Sequence, residues 1–215
     1  MNYDIQKSNQ LFKKMLDSYG PDSAEALHWK NAKSQRLRYD LFSTLGDFNN
    51  SSILDVGSGL GDFYGYLREK DYNQLDYLGV EVLPDYVENA RRKFPSANFV
   101  QGDLFHYEPP KRFDYVICCG ALNVNIADME KLVRKAILKL YSHCNVAVGF
   151  NLLSENAVNK EPTLYNYNPL KIFFCPLNRN NISMNIIPKI TKRLIIWAIH
   201  FAFTGPREIG SDRLS

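Results

Sequence analysis

Ile53-Leu54-Asp55-Val56-Gly57-Ser58-Gly59-Leu60-Gly61-Asp62-Phe63 decides the fold of this 215-residue chain. An apolar strand ends in an acid, glycines recur at alternate positions, and a helical segment, Phe63 to Lys70, follows. Strand, glycine turn and helix together make a nucleotide-cofactor signature. Dinucleotide loops read G-x-G-x-x-G, so that backbone can approach a pyrophosphate at a helix N-terminus. Here the third glycine comes one residue early, at Gly61, and Asp62 holds the place a dinucleotide loop gives to glycine. A carboxylate there repels a pyrophosphate. Asp55, at the strand end, is placed to meet a cationic group instead. A ligand with an adenosine half and an amino-acid half fits this stretch better than a dinucleotide.

Further strand ends continue the pattern. Tyr77 to Val82 reads as a second strand, and its Glu81 lies 20 residues past Gly61, where nucleotide-binding α/β domains put the carboxylate that accepts from ribose hydroxyls. Pro84-Asp85 opens a helix that Pro95 ends. Asn98-Phe99-Val100 is a short third strand, closing on Gln101-Gly102-Asp103-Leu104-Phe105. Phe113 to Gly120 is a fourth, nearly all apolar and so suited to a central parallel position. Asp128 to Tyr141 is an amphipathic helix with Met129, Leu132, Val133, Ala136, Ile137 and Leu140 inward. Asn145 to Phe150 is the fifth strand, and 151 to 168 reads as a polar loop.

The stretch from Ile53 to Phe63 resembles motif I of the class I S-adenosylmethionine-dependent methyltransferases, and the likeness runs on through the next hundred residues. The resemblance implies an α/β, Rossmann-like, doubly wound sheet of about seven mostly parallel strands, with an N-terminal helical extension. It implies the order 3-2-1-4-5-7-6 and S-adenosylmethionine as cofactor. Carried onto this sequence, the cofactor residues are Asp55, Gly57, Ser58, Gly59, Gly61, Glu81 and Val82, then Gly102, Asp103, Leu104 and Gly120. Asp103 matches the acid that accepts from the adenine amine; a capped turn is the plainer reading. The place where transferred methyl and acceptor meet is Gly120-Ala121-Leu122-Asn123, which lacks the Asn/Asp-Pro-Pro-Tyr motif of enzymes that methylate amino groups of DNA bases. Asn123 positions an acceptor or caps the following helix.

The N-terminal fifty residues read as two helices, 4 to 19 and Lys33 to Leu45, joined by Ala26-Leu27-His28-Trp29. Apolar faces are assigned to Ile5, Leu11, Phe12, Met15, Leu16 and Tyr19, and to Leu37, Leu41, Phe42 and Leu45. Trp29 is core packing or, by the resemblance, a lid over the methionine end of the cofactor. Gln35 and Arg38 stand one turn apart. Arg38 suits the methionine carboxylate, or is a surface arginine. Past Asn168-Pro169, read as opening a helix to about Leu177, the pattern is weaker. Ile182 to Ile187 reads as strand six, Arg193 to Phe203 as strand seven or a helix, and Gly205 to Ser215 as a frayed end.

Composition bounds the rest. Hydrophobic residues make up 45% and charged ones 23%, and the net charge is +3, too small to announce a nucleic-acid surface. The four cysteines show no C-x-x-C spacing and suit packing in a reducing compartment. His28, His106 and His143 are isolated, and no acid or histidine cluster has metal-ligand spacing. The N-terminus lacks an apolar signal core, and the run Leu194 to Phe203 is too short to span a bilayer, so a cytoplasmic protein is expected. One methyltransferase domain is expected, with 1–48 as helices or lid, 49–151 as cofactor core and 152–215 on the acceptor side. The expected activity is methyl transfer to a small-molecule acceptor, with an RNA or protein acceptor, or a non-catalytic binding module, as alternatives. A nicotinamide-dependent oxidoreductase is disfavoured by the glycine spacing.

Overall fold

Ser52-Ile53-Leu54-Asp55-Val56 is buried along its whole length, as a strand covered on both faces must be, and forms β1 (Ser52–Val56). The structure, a computed structural model, describes residues 5–157, 160–168, 171–172, 184–186, 189–190 and 194–201. On one side β1 pairs in parallel with β2 (Asp76–Glu81), Leu54 beside Leu78; on the other with β4 (Phe113–Cys118), Leu54 beside Val116. Next come β3 (Asn98–Gln101), parallel to β2, and β5 (Cys144–Ser154), parallel to β4. Two antiparallel strands, β9 (Leu194–Phe201) and β7 (Met184–Ile186), complete the order β3-β2-β1-β4-β5-β9-β7. Short β6 (Asn166–Tyr167) runs beside the end of β5, and β8 (Lys189–Ile190) continues along β9 in the register that β7 begins.

Right-handed crossovers dictate the layers. Strand order runs outward one way through α3 (Asp62–Glu69) and α4 (Pro84–Lys93), and the other way through α5 (Met129–Ser142). Phe63, Leu67, Val87 and Ala90 therefore share one core with Tyr39 and Phe42 of α2 (Ala32–Phe42), while all six inward residues of α5 pack on the opposite face.

The same pairing explains where sequence periodicity falls short. β5 continues through Asn151–Ser154, expected as loop, because β9 pairs with it from Ala147 to Leu153 and satisfies its backbone. That partnership also makes Leu194–Phe201 a strand rather than a helix. Tyr19 and Leu37, assigned to inward faces, are exposed at 55% and 50%. The helix expected to Leu177 is described only at 171–172, and the segment 205–215 lies outside the described residues.

The N-terminal helix α1 (Ile5–Tyr19) and the 3-10 turn Ala24–Leu27 sit across the start of α4. Phe12, Leu16 and Leu27 pack on Leu60, Leu83 and Tyr86, and the Tyr86 hydroxyl donates toward Phe12 O (2.9 Å) and Ala26 O (2.7 Å). Tyr86→Phe is expected to cost about 1–2 kcal/mol, since two buried carbonyls lose their donor. Amide exchange should quicken over residues 9–27 before the sheet. Uniform quickening would show that the hydroxyl is not what holds this segment down.

Candidate functional site

The sheet reverses its strand order between β1 and β4, and a crevice opens there beyond the strand carboxyl ends, where open α/β sheets take ligands. It forms a cavity of about 150 Å3, floored by Asp55 to Gly59 and walled by Glu81, Val82, Gly102 to Phe105 and Cys118 to Leu122. The N-terminal segment closes it with Phe12, Leu27 and Trp29.

The glycine loop is shaped by contact and by conformation. Gly57, Gly59 and Gly61 have φ of +72°, +55° and +78°, a region that L side chains avoid. Gly57 N and Ser58 N both donate to Val80 O, at 2.8 and 3.2 Å, so the loop hangs from β2 as well as β1. Gly61 does not line the cavity; a side chain there would come within 2.8 Å of Phe99, so this glycine lets α3 sit close on β3. Asp62 points elsewhere too, accepting from Gln35 Nε2 (2.9 Å) and Lys93 Nζ (3.0 Å), which ties α3 to α2 and α4.

Glu81 is buried and already engaged. Its Oε1 accepts from Val82 N (2.8 Å) and Leu83 N (3.0 Å), and its Oε2 from Gly59 N (2.9 Å). A carboxylate offers four acceptor positions, so with these bonds in place one remains, on Oε2. The pair of ribose bonds expected from the sequence is thus reduced to one unless a backbone bond is released. Burial raises its pKa, against the pull of those three N–H groups.

Asp55 is 2% exposed and accepts from the Tyr77 hydroxyl. Burial lifts its carboxyl to about 7, the Tyr77 bond opposing and the Glu81 charge adding to the rise. Because the folded value lies above the unfolded one near 4, the unfolded chain ionises first. Stability is therefore greatest below about pH 4, falls between about pH 4 and 7, and lacks this contribution above, by up to roughly 4 kcal/mol. Asp55→Asn keeps an acceptor for Tyr77 and should raise the melting temperature at pH 7.5 but not at pH 4. An equal gain at both would show that Asp55 titrates normally.

Asp103 lines the cavity, and its Oδ1 caps a turn by accepting from Phe105 N (2.8 Å) while contacting His106 Nδ1 (2.9 Å). Its Oδ2 takes no hydrogen bond among the described residues. Leu104 and Phe105 supply an apolar wall beside it.

Two expectations change. Asn123 neither faces the cavity nor caps α5; its Nδ2 donates to Gly120 O (3.2 Å) and its Oδ1 accepts from Leu153 N (3.0 Å), so it staples the turn after β4 to β5. Trp29 lines the cavity, but Arg38 does not: it stacks on the Trp29 ring, 4.9 Å from the centroid, and donates to Ser34 O and Oγ. Gln35, one turn away, reaches Asp62 instead. Tyr86, Phe12 and Leu27 were missed because apolar helix positions look alike in sequence whether they face a core or a cavity. Asn151 was missed inside an apparent loop; a lone amide in the run Val146 to Leu153 was its only signal.

No group of three or more metal-ligating side chains occurs among the described residues, and no helix of theirs is long and apolar enough to cross a membrane. Residues 53–140 match the family model described as a methyltransferase domain. Over that stretch the chain is similar to methyltransferase domains. The trans-aconitate 2-methyltransferase of Afipia carboxidovorans is 27% identical over 75 residues, covering 35% of this chain and 29% of that protein. That of Rhodopseudomonas palustris is 25% identical over 95 residues, covering 44% and 36%. The chain thus spans about a third of the length of the curated relatives it matches. Among solved structures, the N-methyltransferase NodS from Bradyrhizobium japonicum, in complex with S-adenosylhomocysteine, aligns with a TM-score of 0.62 at 13% identity, covering 90% of this chain and 98% of that one. Magnesium protoporphyrin IX methyltransferase from Synechocystis gives 0.59 at 14%, covering 94% and 89%. At those identities the likeness is one of fold.

Proposed function

We propose that this chain transfers a methyl group from S-adenosylmethionine to a small-molecule acceptor by in-line displacement. The observation that carries the reading is the pairing of Asp55 and Glu81, two buried carboxylates at adjacent strand ends facing one cavity. Each suits one half of the cofactor. Asp55, held protonated by burial up to about pH 7, gains most from a cationic neighbour such as the methionine amino group. Glu81 has one acceptor position left for a ribose hydroxyl. Gly57 and Gly59 leave room for close backbone approach, Val82 and Leu104 supply apolar walls, and Asp103 Oδ2 is available to an adenine amine. Ser58, Gly102, Gly120 and Trp29 complete the lining.

The sulfonium of the bound cofactor supplies an activated methyl, so the chain's task is orientation and exclusion of water. Phe12, Leu27 and Trp29 serve the second of these, closing the cavity over the glycine loop. A small acceptor accords with the small molecules named for the curated relatives and structural neighbours. In this reading residues 1–48 are the lid, 49–151 the cofactor core and 152–215 the acceptor side. The free thiols Cys118, Cys119 and Cys144 fit a reducing cytoplasm.

Calorimetric titration with S-adenosylmethionine, S-adenosylhomocysteine and NAD tests the reading. Micromolar binding of the first two alone is expected, with proton release near pH 6 as Asp55 ionises beside the ammonium, seen as a dependence of heat on buffer. Binding of NAD alone, or of none by a folded sample, would overturn it.

A further inference from the structure

Around Gly120, three buried polar atoms have no hydrogen-bond partner among the described residues: His28 Nδ1, Arg38 Nε and Asn151 Nδ2. Their residues come from different segments but meet through Gly120 and Trp29. Asn151 Oδ1 accepts from Gly120 N at 2.8 Å. A side chain on Gly120 would come within 2.9 Å of Trp29 Cζ2, and Arg38 stacks on that same indole. His28 precedes Trp29 in the chain. Cys118 and Phe150 are register partners on parallel strands, so the next pair, Cys119 and Asn151, projects to one face, and the Arg38 charge acts on Cys119 there.

Arg38 is the odd member of this group. Its guanidinium is largely withdrawn from water, yet it makes no ion pair among the described residues and its hydrogen bonds go to the neutral oxygens of Ser34. A withdrawn cation without a counter-ion is costly, and stacking on an indole returns only part of that cost. Asn151 repeats the pattern, being 1% exposed with its carbonyl satisfied and its amine not. Both residues present spare donors, with one acceptor position left on Asn151 Oδ1, beside the strand end where open α/β sheets bind ligands.

We propose that the methyl acceptor carries a carboxylate, and that Arg38 and Asn151 bind it on the Trp29 side of Gly120. The inference rests on the methyltransferase reading and names the acceptor class that reading leaves open. A carboxylate matches the geometry because its two in-plane oxygens meet the planar guanidinium fork, while the Asn151 amine serves one remaining lone pair. A single guanidinium matches a single negative charge, whereas a phosphate dianion calls for more cations than this corner supplies. Trp29 lines the cavity and carries Arg38 on its ring, so the indole separates the anion from the cofactor side and sets where the rest of the acceptor lies.

The test uses the full chain loaded with S-adenosylhomocysteine and titrated with acetate and succinate against matched chloride. Millimolar binding of at least one carboxylate is expected. Arg38→Gln should weaken it tenfold or more while the Kd for S-adenosylhomocysteine stays within twofold. Asn151→Asp keeps the acceptor for Gly120 N but replaces the spare amine by a carboxylate oxygen, and should also weaken the carboxylates tenfold with cofactor affinity held. This second variant decides the matter if Arg38→Gln fails to fold. Loss of S-adenosylhomocysteine affinity in Arg38→Gln would overturn the proposal, because Arg38 would then hold the cofactor's own carboxylate. So would the absence of carboxylate binding in the loaded wild-type protein, or binding that neither variant changes. Failure of the wild-type protein to bind S-adenosylhomocysteine would overturn the methyltransferase reading first, and this inference with it.

Discussion

Gly57→Ala is expected to cost about 3 kcal/mol and to abolish cofactor binding, while Gly20→Ala costs about 1–2 kcal/mol and leaves binding alone. The two glycines have nearly the same backbone, φ +72° and +76°, so the intrinsic penalty of a left-handed alanine is common to both. They differ in surroundings. A Cβ on Gly20 meets nothing within 4 Å, whereas one on Gly57 overlaps the Ala121 Cβ, fixed in the turn that follows β4. Relief requires the two loops to part, and these loops form adjoining walls of the cavity. Gly59 is the intermediate case. Its Cβ would stand 2.6 Å from Leu27 Cδ2, the far end of a flexible side chain. Urea unfolding and S-adenosylhomocysteine titration of Gly57→Ala and Gly20→Ala measure both quantities. Equal costs would show that the contact with Ala121 relaxes freely and that the loop is not held by it.

Glu81→Ala is expected to lower stability by about 3 kcal/mol and cofactor affinity about a hundredfold. The stability loss arises because Gly59, Val82 and Leu83 would each keep an N–H without its carboxylate acceptor. Affinity falls through the lost ribose acceptor and through loss of the Gly59 N bond, one of the three that tie the glycine loop to β2. Glu81→Gln separates the two effects. Its carbonyl can serve only one side of the former carboxylate, so its amine faces a backbone donor, and about half of the stability loss should persist. An alanine variant as stable as the parent, with binding weakened, would show that the three backbone bonds add nothing net and that Glu81 acts on ligand alone.

The glycine loop, the acid-ended strands and α5 were legible because each rests on local rules. Alternate glycines mark positive φ, a buried parallel strand reads as an apolar run, and α5 shows its inward stripe at helical spacing without ambiguity. What failed was whatever depended on a distant partner. Asn151–Ser154 looks like loop because its residues are polar or mixed, and only pairing with β9 makes it strand. Leu37 looks inward by periodicity, yet α2 turns that position to solvent, since the helix packs through Gln35, Tyr39 and Phe42. Asn123 looked like a cap or an acceptor contact, and its bonds to Gly120 and Leu153 span the gap between β4 and β5 that no local pattern records.

By itself, then, the sequence determined the α/β architecture, the kind of loop that starts it and the carboxylates that end its first two strands, because side-chain size, charge and backbone freedom act within a few residues. Tertiary structure alone decided that Glu81 is bound to three backbone N–H groups, that Asp55 is dry enough to hold its proton to about pH 7, and that Arg38 lies behind Trp29 with no counter-ion among the described residues. Those are matters of desolvation and of partners from remote segments, which come into being only when the strands and the N-terminal segment close on one another.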